Sequence, residues 1–163
     1  MSITRGIRHL ATPAWTVSGV FSKEALARIE EAIAATERTH GGEIRFAVEG
    51  NLSARELWRG ATARDRALEV FAQLGVWDTE ANNGVLIYVL WADHDVEIIA
   101  DRGFNTKVTN EEWSAVCRNM EAHFRAGDPI RAVVEGVHAV GALIARHFPA
   151  ADRNELPDQP VVL

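Results

Sequence analysis

The alternation of apolar and polar residues changes period several times along the chain, and each change marks an element. From Ser22, apolar residues recur at Ala25, Leu26, Ile29, Ala32 and Ile33, the spacing of one helical face. Ser22 suits the N-cap, and Glu24 lies in the first turn, where the helix dipole favours an anion. Gly41-Gly42 ends this helix, because glycine tolerates the left-handed backbone of a helix C-terminus. Glu43 to Glu49 then alternates strictly, with Ile44, Phe46 and Val48 on one side and Glu43, Arg45 and Glu49 on the other. A charged face predicts an edge strand or a strand beside an open cleft, since burying charges unpaired is costly.

Ser53 and Glu56 have capping-box spacing, with Leu52 and Leu57 at staple positions. Gly60 breaks this region, Thr62 and Asp65 offer a second cap, and Ala67, Leu68, Phe71 and Leu74 face the core as far as Gly75. A loop from Val76 to Asn83 leads into Val85–Trp91, an unbroken apolar run that reads as a strand buried on both faces. Asp93-His94-Asp95 is the turn, and Val96 to Ala100 returns antiparallel. Thr109 and Glu112 form another capping box, with Val108 and Trp113 at staple positions. Trp113, Val116, Cys117, Met120 and Phe124 form the buried stripe of that helix, and Gly127 stops it. Asp128-Pro129 starts the last helix as N-cap and first residue. Residues 1–20 show no clear period and read as an irregular or weakly helical lead-in. Residues 21–149 form the domain, and 150–163 form an extended C-terminal tail. Strands separated by helices, with one hairpin, imply an α/β fold whose small mixed sheet is covered by helices.

Composition narrows the function. The 163 residues suffice for one domain with a real core, and 47% hydrophobic with 25% charged residues is ordinary for a globular chain. A net charge of -6, with Lys and Arg scattered, argues against nucleic acid as a partner and against an electrostatic membrane anchor. The single cysteine allows no internal disulfide. The N-terminal stretch lacks the apolar core of an export signal, and no apolar run approaches the ~20 residues of a spanning helix. The expected location is therefore the cytoplasm, without direct membrane insertion.

Candidate chemistry gathers where the hairpin opens. With the turn centred near His94, antiparallel pairing brings Asn82, Asn83 and Gly84 beside Asp101, Arg102 and Gly103. Asp78, Trp77 and Glu80 lie on the loop entering that end. Carboxylates and amides on irregular chain at a sheet rim are the usual material of a site. Such hard oxygen donors select Ca²⁺ or Mg²⁺ rather than zinc, and none of the six histidines forms a metalloprotease-type pair. Most of these histidines read as surface residues, with His40 serving the C-terminus of the first long helix. Cys117, on an apolar stripe, reads as a structural thiol. No phosphate-binding loop, dinucleotide fingerprint or nucleophile elbow is present, so no organic cofactor is expected.

Trp77-Asp78, Asn82-Asn83-Gly84-Val85-Leu86-Ile87, Asp95-Val96-Glu97-Ile98, Gly103 and Phe124-Arg125-Ala126-Gly127-Asp128 together resemble the TPM domain pattern, over roughly Phe21 to Phe148. The resemblance implies a three-layer α/β/α sandwich with a small mixed sheet containing a β-hairpin. It also implies a divalent-cation site of the calcium type at the loop rim in some members. Plant thylakoid members have a proposed acid-phosphatase activity, and others have accessory roles in photosystem repair or receptor complexes. The chain is most similar to a short cytoplasmic bacterial branch, since it shows neither export signal nor membrane tail. Two further departures are Thr109-Asn110, where the family usually has Thr-Asp, and Asp101-Arg102, which adds a carboxylate and a cation.

The metal candidates are thus Asp78, Asn83, Asp101 and Asp128, with Asn82, Arg102, Trp77 and Glu80 lining the rim. Asp128 is first a helix cap, whose second carboxylate oxygen remains available. Two functions follow. One is an accessory module that presents the rim, with a bound ion, to a protein partner associated with a membrane. The other is a metal-assisted phosphatase. In it Asp78 and Asp101 hold the ion, Arg102 steadies phosphoryl oxygens and a metal-activated water attacks. The rim loops offer no His, Cys or Ser nucleophile, which favours the first.

Overall fold

The apolar run after Asn83 becomes the centre of the molecule. In the computed structural model, which describes residues 3–12, 14–149 and 154–163, β2 (Gly84–Leu90) is buried along its whole length. It lies between β1 (Glu43–Glu49), to which it is parallel, and β3 (Asp95–Ala100), its antiparallel hairpin partner. A fourth strand, β4 (Val161–Val162), pairs parallel with β1 and gives the order β3-β2-β1-β4.

Strand alternation sorts the sheet into two faces. Ile44, Phe46, Val48, Val85, Ile87 and Val89 meet α3 (Lys23–Glu37), α6 (Asn110–Arg125) and α7 (Pro129–His147) through Ile33, Met120 and Val137. The opposite face carries Ala47, Leu86, Tyr88 and Leu90. It meets the short α4 (Ala54–Trp58) and α5 (Ala63–Gln73) through Leu57, Ala67 and Val70. This is the expected three-layer α/β/α arrangement. Fully burying side chains such as Ile33 or Phe46 stabilises it by about 1.5–3 kcal/mol each. The caps read from sequence form as well: Ser22 accepts the Ala25 N–H, and Ser53/Glu56, Thr62/Asp65 and Thr109/Glu112 all close reciprocal boxes. Leu68, by contrast, stays half exposed; Ala67 and Val70 carry that helix's buried contact instead.

β1 is neither an edge strand nor the wall of an open cleft. It is flanked on both sides, and its charged face is covered by the C-terminal segment at one end and by Tyr88 and Arg66 at the other. Glu43 accepts the Glu155 N–H at 2.8 Å and the Leu156 N–H at 3.0 Å. Glu49 takes the Tyr88 hydroxyl at 2.6 Å and Arg66 Nε at 2.8 Å. Arg45 is only 6% exposed. Burial pulls its guanidinium below the usual arginine range, and the charges of Asp158 and Glu37 work against that. The expected extended tail therefore adds a strand to the sheet where it is described; its first residues, up to 153, lie outside the described residues.

The N-terminal lead-in also has more structure than its sequence suggested. It contains α1 (Ile3–Ala11) and α2 (Ala14–Val20). What fixes α1 is polar. Asp93, at the end of the hairpin, accepts Arg5 Nε at 2.8 Å and His9 Nε2 at 3.1 Å, and pairs with Arg8 at 2.8 Å. His9 Nδ1 accepts the Leu52 N–H at 3.0 Å, so the proton of the neutral ring sits on Nε2 and is donated to Asp93. Burial pushes the Asp93 carboxyl up, but the hydrogen bonds from Arg5 and His9 outweigh this and leave it below the ordinary carboxylate range. His9 and His40 are thus buried, against the surface placement expected of most histidines. His40 does serve the end of α3: its Nδ1 accepts Gly42 N–H at 3.3 Å and its Nε2 meets Thr36 Oγ1 at 2.8 Å.

Candidate functional site at the open end of the hairpin

Register decides what meets at the rim. Val85 lies opposite Ala100, so the chain continues with Asp101 donating its N–H to Gly84 O at 2.9 Å and Gly103 donating to Asn82 O at 2.9 Å. Arg102 Nε reaches Asn82 Oδ1 at 2.7 Å, and Asp101 Oδ1 accepts the Arg102 N–H at 2.7 Å. Asn82 sits in the left-handed region with φ 53°, which asparagine tolerates better than most residues. Thr79 Oγ1 accepts the Asn83 N–H at 3.0 Å, and Asn83 Nδ2 donates to Gly41 O. Asn83 therefore pins the loop to the turn between α3 and β1.

Two glycines are required by this closure. A Cβ on Gly84 would stand 2.0 Å from Val76 O, and one on Gly103 would stand 2.3 Å from Asn82 O. Both obstructions are backbone atoms, so no side-chain rotation relieves them.

The structure brings together Asn82, Asp101 and Arg102, with Asn83 next in the chain and its side chain turned toward Gly41. Trp77, Asp78 and Glu80 are exposed on the loop that enters the rim; the Glu80 N–H is bound by the Glu155 carboxylate at 3.0 Å. Asp128 is elsewhere. The C-terminal turn of α6 lies by the hairpin turn, where Glu121 Oε1 accepts the Val96 N–H at 3.5 Å and Arg125 lines a cavity with His94 and Asp95. The α6–α7 junction that holds Asp128 is therefore at the opposite end of the sheet. Its side chain makes no capping hydrogen bond either, because its backbone (φ -118°, ψ 67°) departs from the extended geometry of the capping residues. Trp91, at the end of the apolar run, packs on Phe21 and Phe124 at that far end, while Trp113 is a core residue set edge-on to Phe104.

Two buried acceptors at the rim, Asn83 Oδ1 and Asp101 Oδ2, have no hydrogen-bond partner among the described residues. An amide and a carboxylate oxygen are donors of the type calcium accepts. Among the described residues no three His, Cys, Asp or Glu side chains converge to hold a metal. A cation here would therefore draw on amide, carbonyl and water oxygens as well as on Asp101.

Beside the rim lies a cleft of about 470 Å³ that sequence reasoning did not find. It runs along β3, the free edge of the sheet, and is lined by Arg64, Glu97, Asn105, Asn110, Ser114 and Cys117 among others. Arg64 Nη1 spans the edge, donating to Glu97 Oε2 at 3.0 Å and to Ile98 O at 3.2 Å. Burial, together with Glu97 and Glu121, pushes the Cys117 thiol up to about 12, so it remains protonated and inert at neutral pH. The Arg64–Ile98 contact spans 34 positions and has no local signature, which is why the pattern of the sequence could not reveal it.

A sheet of this order, covered on both faces and with a loop rim at the hairpin's open end, defines a three-layer α/β domain. Residues 16–143 match the model of the TPM domain, and the chain belongs to the TPM domain family. Among solved structures it is similar to the BA42 protein from the psychrophilic bacterium Bizionia argentinensis, at 29% identity and a TM-score of 0.75, covering 87% of this chain and 94% of that one. The N-terminal domain of a P. gingivalis protein shares the fold at 21% identity and a TM-score of 0.65, with 82% of each chain covered. The N-terminal domain of the cg2496 protein from Corynebacterium glutamicum does so at 12% identity and 0.57, covering 83% of this chain and 81% of that one. A comparison with curated proteins gave no match. No helix among the described residues is long and apolar enough to cross a membrane.

Proposed function

We propose that this TPM domain is an accessory binding module that engages a protein partner through the open end of the β2–β3 hairpin and holds a calcium-type cation there. The observation that carries this reading is the pair of buried oxygens, Asn83 Oδ1 and Asp101 Oδ2, left without hydrogen-bond partners among the described residues. Burying such acceptors unsatisfied costs about 1–3 kcal/mol each, and a cation would offset that. Asp101 supplies the carboxylate and Asn83 the amide oxygen, with Asp78 placed on the adjoining loop to add a second charge. The neighbouring cleft along β3 gives a partner a concave polar surface next to the ion.

Thermal melting of the intact protein with calcium and with chelator tests the cation. Binding confined to the native state raises stability by about 2.7 kcal/mol at a hundredfold excess over Kd, and Asp101→Ala should abolish the gain. An unchanged midpoint at millimolar calcium would remove the cation from the reading.

The placement of Arg102 beside Asp101 favours a second reading, metal-assisted hydrolysis of phosphomonoesters, in which Arg102 would hold phosphoryl oxygens. Against it, Arg102 Nε is already engaged by Asn82, and the one thiol near the rim is held protonated. Turnover of a generic phosphomonoester that survives both Asp101→Ala and Arg102→Ala would exclude the phosphatase at this site.

A further inference from the structure

The first helix is amphipathic, yet it is mounted with its polar face inward. Arg5 and His9 point into the domain and bind Asp93, whereas Ile7 and Leu10 are 61% and 78% exposed. An ordinary surface helix has the reverse orientation. Single exposed apolar residues are common and need no explanation. Here, however, two more large apolar side chains stand at the same end of the sheet, Trp15 at 73% and Trp58 at 82% exposure.

The hydrogen bonds fix the proximity of the elements that carry them. His9 binds the Leu52 N–H just before α4, and Arg5 Nη1 donates to Ala61 O at 2.9 Å just after it. Helix α1 is thus tied to both ends of the α4 segment, which carries Trp58. Asn51 Nδ2 donates to Thr12 O at 2.8 Å, which anchors the chain just ahead of Trp15.

The charged residues that flank these side chains in the sequence are basic apart from Glu56, and the other acids nearby, Asp93, Asp95 and Glu121, line a cavity with Arg5, Arg8 and Arg125. No acidic residue precedes Glu24 in the sequence. On α4, Arg55 and Arg59 are exposed and flank Trp58, and Arg8 remains half exposed while paired with Asp93. The one acidic residue of α4, Glu56, is turned back into its capping box, accepting the Ser53 N–H at 2.7 Å. The net charge of -6 and scattered Lys and Arg argue against a membrane anchor in the sequence, but folding sets the exposed Arg8, Arg55 and Arg59 beside these apolar side chains, a local cationic feature complementary to an anionic surface.

We propose that this end of the domain docks on an anionic phospholipid surface. Ile7, Leu10, Trp15 and Trp58 enter the interfacial zone, and Arg8, Arg55 and Arg59 meet lipid phosphates. Apolar ridges on convex helices, with tryptophans and arginines beside them, suit a bilayer interface better than a peptide, which takes a groove. The docking is peripheral and separate from the hairpin rim.

The test is cosedimentation of the intact protein with extruded vesicles, in chelator so that no cation at the rim contributes. Vesicles of phosphatidylcholine alone are compared with equal mixtures of phosphatidylcholine and phosphatidylglycerol. Binding is expected only to the mixed vesicles, with a blue shift of tryptophan emission, and it should be lost when ionic strength is raised about tenfold. Ile7→Glu with Leu10→Glu, and separately Arg55→Glu with Arg59→Glu, should each weaken binding at least about tenfold while keeping the wild-type melting midpoint, since these side chains are exposed. Absence of binding to the mixed vesicles, or equal binding by wild type and both variants, would overturn the proposal. So would a concentration-dependent dimer that Ile7→Glu with Leu10→Glu dissociates in the absence of vesicle binding; it would assign the face to a second copy of the chain.

Discussion

Glu43 Oε2 accepts the backbone N–H of Leu156 at 3.0 Å, across 113 positions of sequence. With Oε1 on the Glu155 N–H, one buried carboxylate ties the C-terminal segment to the first residue of β1. Glu43→Ala leaves both N–H groups without this acceptor, and the expected loss is about 2–4 kcal/mol from the desolvation of unpaired donors. Urea unfolding measures it as a lower midpoint at an unchanged slope. Removing residues 154–163 should cost at least as much, because it also strips β4 and Leu156 from the sheet.

Asp93 performs the equivalent task at the other terminus. Asp93→Ala should release α1 and leave the buried His9 ring with only its Leu52 bond, at a cost of about 1–3 kcal/mol for hydrogen bonds to a charged group in a part-buried cluster. Amide exchange resolves this as lost protection in α1 ahead of the core. The pH dependence has a definite sign. Because the folded carboxyl titrates below its ordinary 3.8, its stabilising share is present above that value and is lost as pH falls through the folded one. Protection of α1 should therefore fail first on acidification below about 4.

Both latches explain how far the sequence could be read. Periodicity and capping boxes are local signals, and they located α3 through α6 because those elements form around their own caps and stripes, while the apolar stripe and Pro129 located α7 although Asp128 makes no cap. The meeting of Asn82 with Arg102 followed from hairpin pairing alone. Residues 3–20 and 154–163 have no such signal. The lead-in is held by Asp93, over 80 positions away, and the tail by Glu43, so neither is visible in a window of sequence. The same blindness misplaced Asp128. Its residue type suited both a cap and a ligand, but the antiparallel run of α6 carries it to the end of the sheet away from Asp101.

Asp95, at the start of β3, carries the opposite electrostatic strain to Asp93. Burial raises its carboxyl to about 6, with Glu97, Glu121 and Asp93 adding to the shift. A folded value above the ordinary 3.8 means that the native state holds the proton more tightly. Asp95 therefore destabilises progressively as pH rises from about 4 to about 6, and the penalty is complete above that. Asp95→Asn should stabilise the protein at pH 7.5 by about 1 kcal/mol, a figure reduced for its partial exposure to solvent. At pH 4 the two proteins should unfold together, and melting curves at the two pH values distinguish this from a pH-independent packing gain.

Gly84 provides the sharpest test of the rim closure. Gly84→Ala places a methyl 2.0 Å from Val76 O and 3.0 Å from Val76 Cγ1, in a strand buried on both faces. The loop cannot retreat without breaking the Asn83 bond to Thr79 and the Asp101 bond to Gly84. The expected cost exceeds about 3 kcal/mol, the upper end for overpacking a rigid core. Gly19 is the contrasting case. It lies in α2, is exposed, and has nothing within 4 Å of its added Cβ. Gly19→Ala should therefore stabilise by about 0.5–1 kcal/mol through helix propensity alone. If Gly84→Ala folds with a wild-type midpoint, the backbone-on-backbone packing that brings Asn82 and Asp101 together is wrong, and the rim site falls with it.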